Sequence, residues 1–161
     1  MAKPLIITMG DPTGVGPEII VKAVRDGALA GIERPLLVAG DLGVLRRAAE
    51  VCGCDTRQQA GSSLSLATDE LIIDDHTLPV RALSLLDLSQ QRFGLPEISS
   101  GRAMADYIQW ACDACVADDV AGMVTAPINK EILRAAGIAF PGHTELLADR
   151  CHVDEVVMML A

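Results

Sequence analysis

The sequence predicts a three-layer α/β/α fold around a mainly parallel sheet. Three observations carry that prediction. Short aliphatic runs such as Pro4–Met9 and Pro35–Gly40 have the near-continuous apolar character of strands buried on both faces. Segments with helical apolar spacing follow them, so strand and helix alternate along the chain. Glycine, proline and small polar residues punctuate the junctions. With 161 residues and half of them hydrophobic, the chain is long enough to bury a core. That core must be aliphatic, because Phe93, Tyr107, Trp110 and Phe140 are the only aromatics.

Pro4–Met9 predicts a first buried strand, and Gly10-Asp11-Pro12-Thr13-Gly14-Val15-Gly16 a tight loop after it. Pro17 suits a first helical position and Glu18 the positive end of a helix dipole. Ile19, Ile20, Ala23 and Val24 continue that helix. The loop has the glycines either to cradle an anion with backbone N–H groups or simply to turn the chain. It carries neither a Walker lysine nor a third glycine at Ile19, so the dinucleotide fingerprint fails. Pro35–Gly40 predicts the second strand. Asp41 caps a helix Leu42–Val51, with Val44, Leu45 and Ala48 inward and Gly53 closing it.

The polar stretch 57–68 reads as an exposed loop. Leu71–Ile73 and Leu78–Leu83 read as short strands, joined as a hairpin across Asp74-Asp75-His76-Thr77. His76 beside two aspartates fits a solvated turn better than a metal site. Ser84–Glu97 is a connection broken at Gly94-Leu95-Pro96. Ser99 or Ser100 caps the longest helix, which runs to about Ala117 with Met104, Tyr107, Ile108, Ala111 and Cys115 inward.

The chemistry concentrates after that helix. Asp118-Asp119 ends it, and Ala121–Val124 predicts a buried strand that stops at Thr125-Ala126-Pro127. A helix Ile128–Ala136 closes at Gly137, and the Phe140-Pro141-Gly142 turn leads to His143-Thr144-Glu145 at the head of another helix, ending at Arg150. Two junctions close in sequence thus present a lysine, an amide, an imidazole and two hydroxyls. Ligands of open α/β sheets bind just past the carboxyl ends of strands. Val156–Leu160 predicts a further buried strand. A chain stopping on such a strand, without its covering helix, is expected to be part of something longer.

Composition narrows the function classes. A net charge of −9 argues against general binding to nucleic acid or anionic membranes. No apolar run approaches the roughly 20 residues of a membrane span. No signal-peptide pattern precedes the first strand, so a cytoplasmic location is expected. The five cysteines, Cys52, Cys54, Cys112, Cys115 and Cys151, fit reduced thiols better than a disulfide framework. Cys52-x-Cys54 and Cys112-x-x-Cys115 have the count for a zinc site, but the second pair sits inside a helix without the usual presenting turn. They read as small apolar residues.

Four motifs occur in order: Met9-Gly10-Asp11-Pro12-Thr13-Gly14-Val15-Gly16-Pro17-Glu18, Thr125-Ala126-Pro127-Ile128-Asn129-Lys130, Gly142-His143-Thr144-Glu145 and Val157-Met158-Met159-Leu160-Ala161. Together they resemble the 4-hydroxythreonine-4-phosphate dehydrogenase family of pyridoxal phosphate biosynthesis. The resemblance covers the whole chain but only about the first half of a family member. It implies a fold like that of isocitrate and isopropylmalate dehydrogenases, where NAD binds without the Rossmann fingerprint. It implies a first α/β domain over 1–125 and the truncated start of a second over 126–161. The implied reaction is oxidation of 4-phosphooxy-L-threonine by NAD or NADP, followed by decarboxylation to an aminoketone phosphate. A divalent metal (zinc, magnesium or cobalt) polarises the reacting oxygen, and the family's metal-binding histidines lie beyond Ala161. A homodimer with the active site near its interface is also implied.

Carried over by position, His143 and Thr144 match the family's substrate-binding pair. Lys130 is the candidate catalytic residue, contacting the substrate's phosphate or carboxylate. Asn129 orients it, and Asp11 with the Gly14 and Gly16 backbone shapes the cleft. No cofactor-binding residue is assigned, and His152 reads as a surface residue. Two other readings stay open: a paralogue oxidising threonate or erythronate phosphate, and a non-catalytic phosphate-binding or dimerisation module. The isolated 161-residue chain is expected to be inactive.

Overall fold

The computed structural model describes residues 2–140, 142–157 and 159. Pro141 of the expected turn, and Met158, Leu160 and Ala161 of the last expected strand and motif, lie outside the described residues. One six-stranded sheet runs in the order β3-β4-β5-β2-β1-β6. Its strands are β1 (Leu5–Thr8), β2 (Leu36–Gly40), β3 (Thr56–Ala60), β4 (Asp69–Ile73), β5 (His76–Ala82) and β6 (Gly122–Thr125). The pairs β1–β2, β1–β6 and β2–β5 are parallel, while β4 runs antiparallel to both β3 and β5. The sheet is therefore mainly parallel at its site-bearing end, as the alternating pattern predicts.

Among the described residues there are five helices: α1 (Gly16–Arg25), α2 (Leu42–Val51) and α3 (Ile98–Val116) cover the sheet, and α4 (Lys130–Ala135) and α5 (His143–Arg150) pack on α3. The period-2 alternation of the strands sorts their side chains between two layers. Val38, Leu71, Ile73 and Val80 join Ile20, Val21, Val44, Leu45 and Ala48 under α1 and α2. Ile6, Leu37 and Ala39 face the opposite way and pack with Ala111, Ala114 and Val120 under α3. Each aliphatic side chain fully buried in these layers contributes about 1.5–3 kcal/mol. A third cluster joins Met104 and Ala105 of α3 to Leu133 of α4. There Gly101 is a packing residue, since a Cβ on it would overlap the Ile132 carbonyl oxygen and stand 2.8 Å from the Ala136 Cβ.

Several expectations need correction. Residues 57–60 belong to a strand. Thr-Arg-Gln-Gln-Ala carries no apolar signal because β3 is a polar edge strand, mostly exposed and held by backbone pairing to β4. His76 opens β5, and the hairpin turn is only Asp74-Asp75, with Asp74 at φ 50°. α3 starts at Ile98, so Ser99 and Ser100 lie inside it. The Ser100 hydroxyl accepts from the Glu97 N–H at 3.3 Å and donates to Gln91 Oε1 at 2.6 Å. The helix after Pro127 begins at Lys130 rather than Ile128, because Asn129 is its N-cap.

Ile19 and Val124 are half-exposed, at 50% and 56%. β6 is the sheet's edge, and among the described residues nothing covers the face that Val124 presents. The expected strand at 156–160 is absent from its described residues: Val156, Val157 and Met159 are exposed and unpaired.

Candidate active site

The strand order makes a topological switch point between β1 and β6. From β1 the chain leaves through α1 on one face of the sheet. From β6 it leaves toward α4, which packs on α3 over the other face. The two outgoing loops diverge and leave a crevice at the carboxyl ends of two neighbouring parallel strands. This is where open α/β sheets hold ligands.

Backbone hydrogen bonds continue the β1–β6 ladder into the loops. Ala126 N–H donates to Thr8 O at 3.1 Å, and Asp11 N–H donates to Pro127 O at 2.9 Å. Gly10 makes the second bond attainable, with φ 74° and no side chain to strike the Pro127 carbonyl oxygen lying against its Cα. Asp11 is buried, and its Oδ1 accepts from both the N–H and the hydroxyl of Thr13, each at 2.8 Å. This Asx turn fixes the loop. Asp11 lines the cleft and spends this oxygen on holding the loop backbone.

Two residues that hold this loop were not legible as site residues. Arg47 of α2 donates to Pro12 O at 3.2 Å and to Gln91 O, while its guanidinium stacks 4.5 Å over the Phe93 ring. Gly94 N–H donates to Thr13 O at 2.8 Å. An arginine on an amphipathic helix carries no local sequence signal for such contacts, which form only once the sheet has assembled. A separate buried network lies by β2 and β5. There Ser84 Oγ donates to Asp41 Oδ2 at 2.8 Å, so the Tyr107 hydroxyl donates to Ser84 Oγ at 2.6 Å. Burial raises the Tyr107 pKa and keeps the phenol protonated.

The cleft itself, about 390 Å³, is lined by Asp11, Gly14, Val15, Pro127, Ile128, Asn129 and Lys130. Asn129 spends its side-chain oxygen on α4, accepting from Glu131 N–H at 3.1 Å and Ile132 N–H at 3.2 Å. It positions Lys130 by starting the helix, rather than by contacting the lysine. Lys130 forms no salt bridge among the described residues. Its side chain runs beside buried Gly142, the N-cap of α5: a Cβ there would stand 3.3 Å from Lys130 Cε and 3.6 Å from Nζ.

Lys130 and His143 are therefore brought together across the turn. Burial first, and the Lys130 charge second, hold the His143 imidazole below its ordinary value of 6.5. Its Nε2 is buried without a hydrogen-bond partner among the described residues. Such an atom costs free energy until something meets it. Thr144 follows, half-buried, on the same helical turn. Glu145 Oε2 stands 3.5 Å from the same Gly142 Cβ position, so one carboxylate borders the lysine. His152 is exposed and outside this group. One lysine and an imidazole without a partner among the described residues thus sit close together on a chain of net charge −9.

A larger groove, about 490 Å³, opens at the opposite end of the strands, at the amino-terminal ends of β2 and β5. Aliphatic side chains such as Val24, Ile32 and Leu64 dominate its lining, and its titratable groups are Arg34 and His76. Volume alone favours this groove. The position at the strand ends, with Lys130 in the lining and His143 near that lysine, favours the switch-point cleft.

Fold and site together define an α/β protein with a lysine-bearing cleft at a switch point. The profile of the family described as "Pyridoxal phosphate biosynthetic protein PdxA" matches residues 32–161. A 4-hydroxythreonine-4-phosphate dehydrogenase of Trichlorobacter lovleyi is 46% identical over 160 residues, covering 99% of this chain and 46% of its own length. A protein of Oceanobacillus iheyensis named "Putative D-threonate 4-phosphate dehydrogenase" is 36% identical, covering 99% of this chain and 47% of its own. The crystal structure of a 4-hydroxythreonine-4-phosphate dehydrogenase from Burkholderia phymatum superposes with a TM-score of 0.85 at 34% identity, covering 100% of this chain and 47% of that one. The chain belongs to the pyridoxal phosphate biosynthetic protein PdxA family. It spans about half the length of the curated relatives it matches.

Proposed function

We propose that this chain supplies the substrate-anchoring part of a dehydrogenase that oxidises 4-phosphooxy-L-threonine with NAD or NADP. The product is a 2-amino-3-oxo acid phosphate, which decarboxylates to 3-amino-2-oxopropyl phosphate for pyridoxal phosphate synthesis. In this reading the protein acts in the cytoplasm as a homodimer, with the cleft near the interface. The single observation that carries the proposal is that Lys130, which lines the cleft at the β1–β6 switch point, lies near His143. The Lys130 ammonium holds a phosphate or carboxylate as a point charge. The neutral His143 imidazole and the Thr144 hydroxyl orient the rest of the substrate, Nε2 gaining the partner it lacks. Asp11 and Asn129 act through the backbone they fix.

Among the described residues no group of three His, Cys, Asp or Glu side chains gathers to hold a metal ion. The described residues alone therefore do not gather a ligand set for the divalent ion. In this reading the zinc, magnesium or cobalt is bound by residues beyond this chain.

A second reading, oxidation of a threonate phosphate, is supported by the name of the Oceanobacillus iheyensis relative. The two substrates differ in carrying an ammonium or a hydroxyl beside the carboxylate. Calorimetric titration of the chain with 4-phosphooxy-L-threonine and with D-threonate 4-phosphate tests both. Tighter binding of the amino compound supports the first reading, tighter binding of the hydroxy acid the second. Absence of binding by either contradicts the anchoring role.

A further inference from the structure

We propose that Cys112 and Cys151 are a peroxide-oxidisable pair, forming a reversible disulfide that ties the end of α5 to α3. Their Sγ atoms stand 3.6 Å apart although the residues are 39 apart in sequence. That separation is sulfur–sulfur contact, so bond formation needs a closing movement and no rearrangement of elements. The neighbouring residues hold the approach in register. Arg150 donates from Nε and Nη2 to both carboxylate oxygens of Asp113, a two-pronged ion pair one residue along from each sulfur. Leu146, one turn earlier on α5, is buried.

The two thiols differ in access, which sets the order of events. Cys151 caps α5 at its carboxyl end and is exposed, while Cys112 is buried on the inward face of α3. A peroxide therefore reaches Cys151 first. Its thiolate attacks one peroxide oxygen, the O–O bond breaks, and Cys151 becomes a sulfenic acid while hydroxide leaves. Cys112 sulfur then attacks the Cys151 sulfur and the S–O bond breaks. The departing hydroxide takes the Cys112 thiol proton as water. In sum, two thiols and one hydrogen peroxide give one disulfide and two waters. A small-molecule thiol reverses it by exchange. Burial, with Cys151 adding to it, pushes the Cys112 thiol up to about 12, so the first attack falls to Cys151, and Cys112 reacts only as the departing hydroxide takes its proton. Cys115, half-buried one turn further along α3, is the competing partner.

The tether bears on the far end of the same helix. α5 carries His143 and Thr144 at its head and Cys151 at its end, so cross-linking fixes the helix's tilt on α3. The test uses the 161-residue chain, purified with reductant and then treated with one equivalent of hydrogen peroxide. The intact mass should fall by two hydrogen atoms, and peptide mapping should find Cys112 joined to Cys151. Cys115→Ser should leave that link intact. Cys112→Ala, checked for folding by circular dichroism, should instead accumulate a dimedone-trapped sulfenic acid at Cys151. Amides of α5 should exchange about tenfold more slowly in the oxidised chain, as local opening is suppressed. A link that uses Cys115, a link between two chains as the main product, or oxidation of Cys151 to sulfinic acid without any link would overturn the proposal.

Discussion

Replacing Gly10 by alanine tests how the two site loops are joined. Gly10 sits at φ 74°, where a Cβ costs roughly 1–2 kcal/mol. The added atom would also overlap the Pro127 carbonyl oxygen, a backbone atom that cannot rotate away. The loops must part, and the 2.9 Å bond from Asp11 N–H to that oxygen weakens, costing roughly 0.5–1.5 kcal/mol more. Against this, alanine restricts the unfolded chain and returns roughly 0.4–1 kcal/mol. The net is about 1–2.5 kcal/mol of lost stability, which lowers a urea midpoint by roughly 1 M at the slopes usual for small proteins. Gly27→Ala is the internal control. Its φ of 68° is equally unfavourable, but nothing lies within 4 Å of its would-be Cβ. It should show the backbone cost alone and leave ligand binding unchanged, whereas Gly10→Ala should weaken it. Equal midpoints for the two variants, or a rise for Gly10→Ala, would refute the loop-to-loop coupling.

Three further outcomes follow from the same geometry. Arg47→Met should cost about 2 kcal/mol or more through lost charged hydrogen bonds and should speed amide exchange at Thr13 and Gly14. The His143 imidazole should titrate below 6.5 by NMR, because burial and Lys130 both disfavour its charged form. With the folded value below the unfolded one, the unfolded chain binds the extra proton first. Stability should therefore decline as pH falls from about 6.5 toward the folded pKa, and His143→Gln should remove that part of the decline. The 161-residue chain should show no chelator-sensitive reduction of NAD or NADP, and robust activity from a chain of verified mass would contradict the assignment of the metal ligands to residues beyond it.

Much of the fold was legible because it is local. Aliphatic runs gave β1 and β2, Asp41 and Gly53 bounded α2, and the inward stripe of α3 is buried from Met104 to Ala111. β3 was missed because its stability is backbone pairing at an edge, which leaves no apolar trace in Thr-Arg-Gln-Gln-Ala. Ser99 and Ser100 misled for a related reason. Either hydroxyl suits a cap in isolation, but Glu97 takes that position and Ser100 answers it from inside the helix. At the site, Asp11, Asn129, Lys130, His143 and Thr144 stood out through the motifs shared with the family rather than through residue type alone. The division of labour did not show, because it depends on where Oδ1 of Asp11 and of Asn129 find their donors. Arg47 escaped notice because its targets are carbonyls far away in sequence.

The central claim is that Lys130 and His143 act on one ligand. It is tested most directly by following the His143 ring resonances as the chain is titrated with 4-phosphooxy-L-threonine, in wild type and in Lys130→Met. The account predicts saturable shifts in wild type. In the variant the affinity should be about ten- to a hundredfold weaker, the loss of one charge-assisted contact, with the fold and melting curve retained. His143 resonances that stay fixed at saturating ligand, or that move with the same affinity in both proteins, would contradict it.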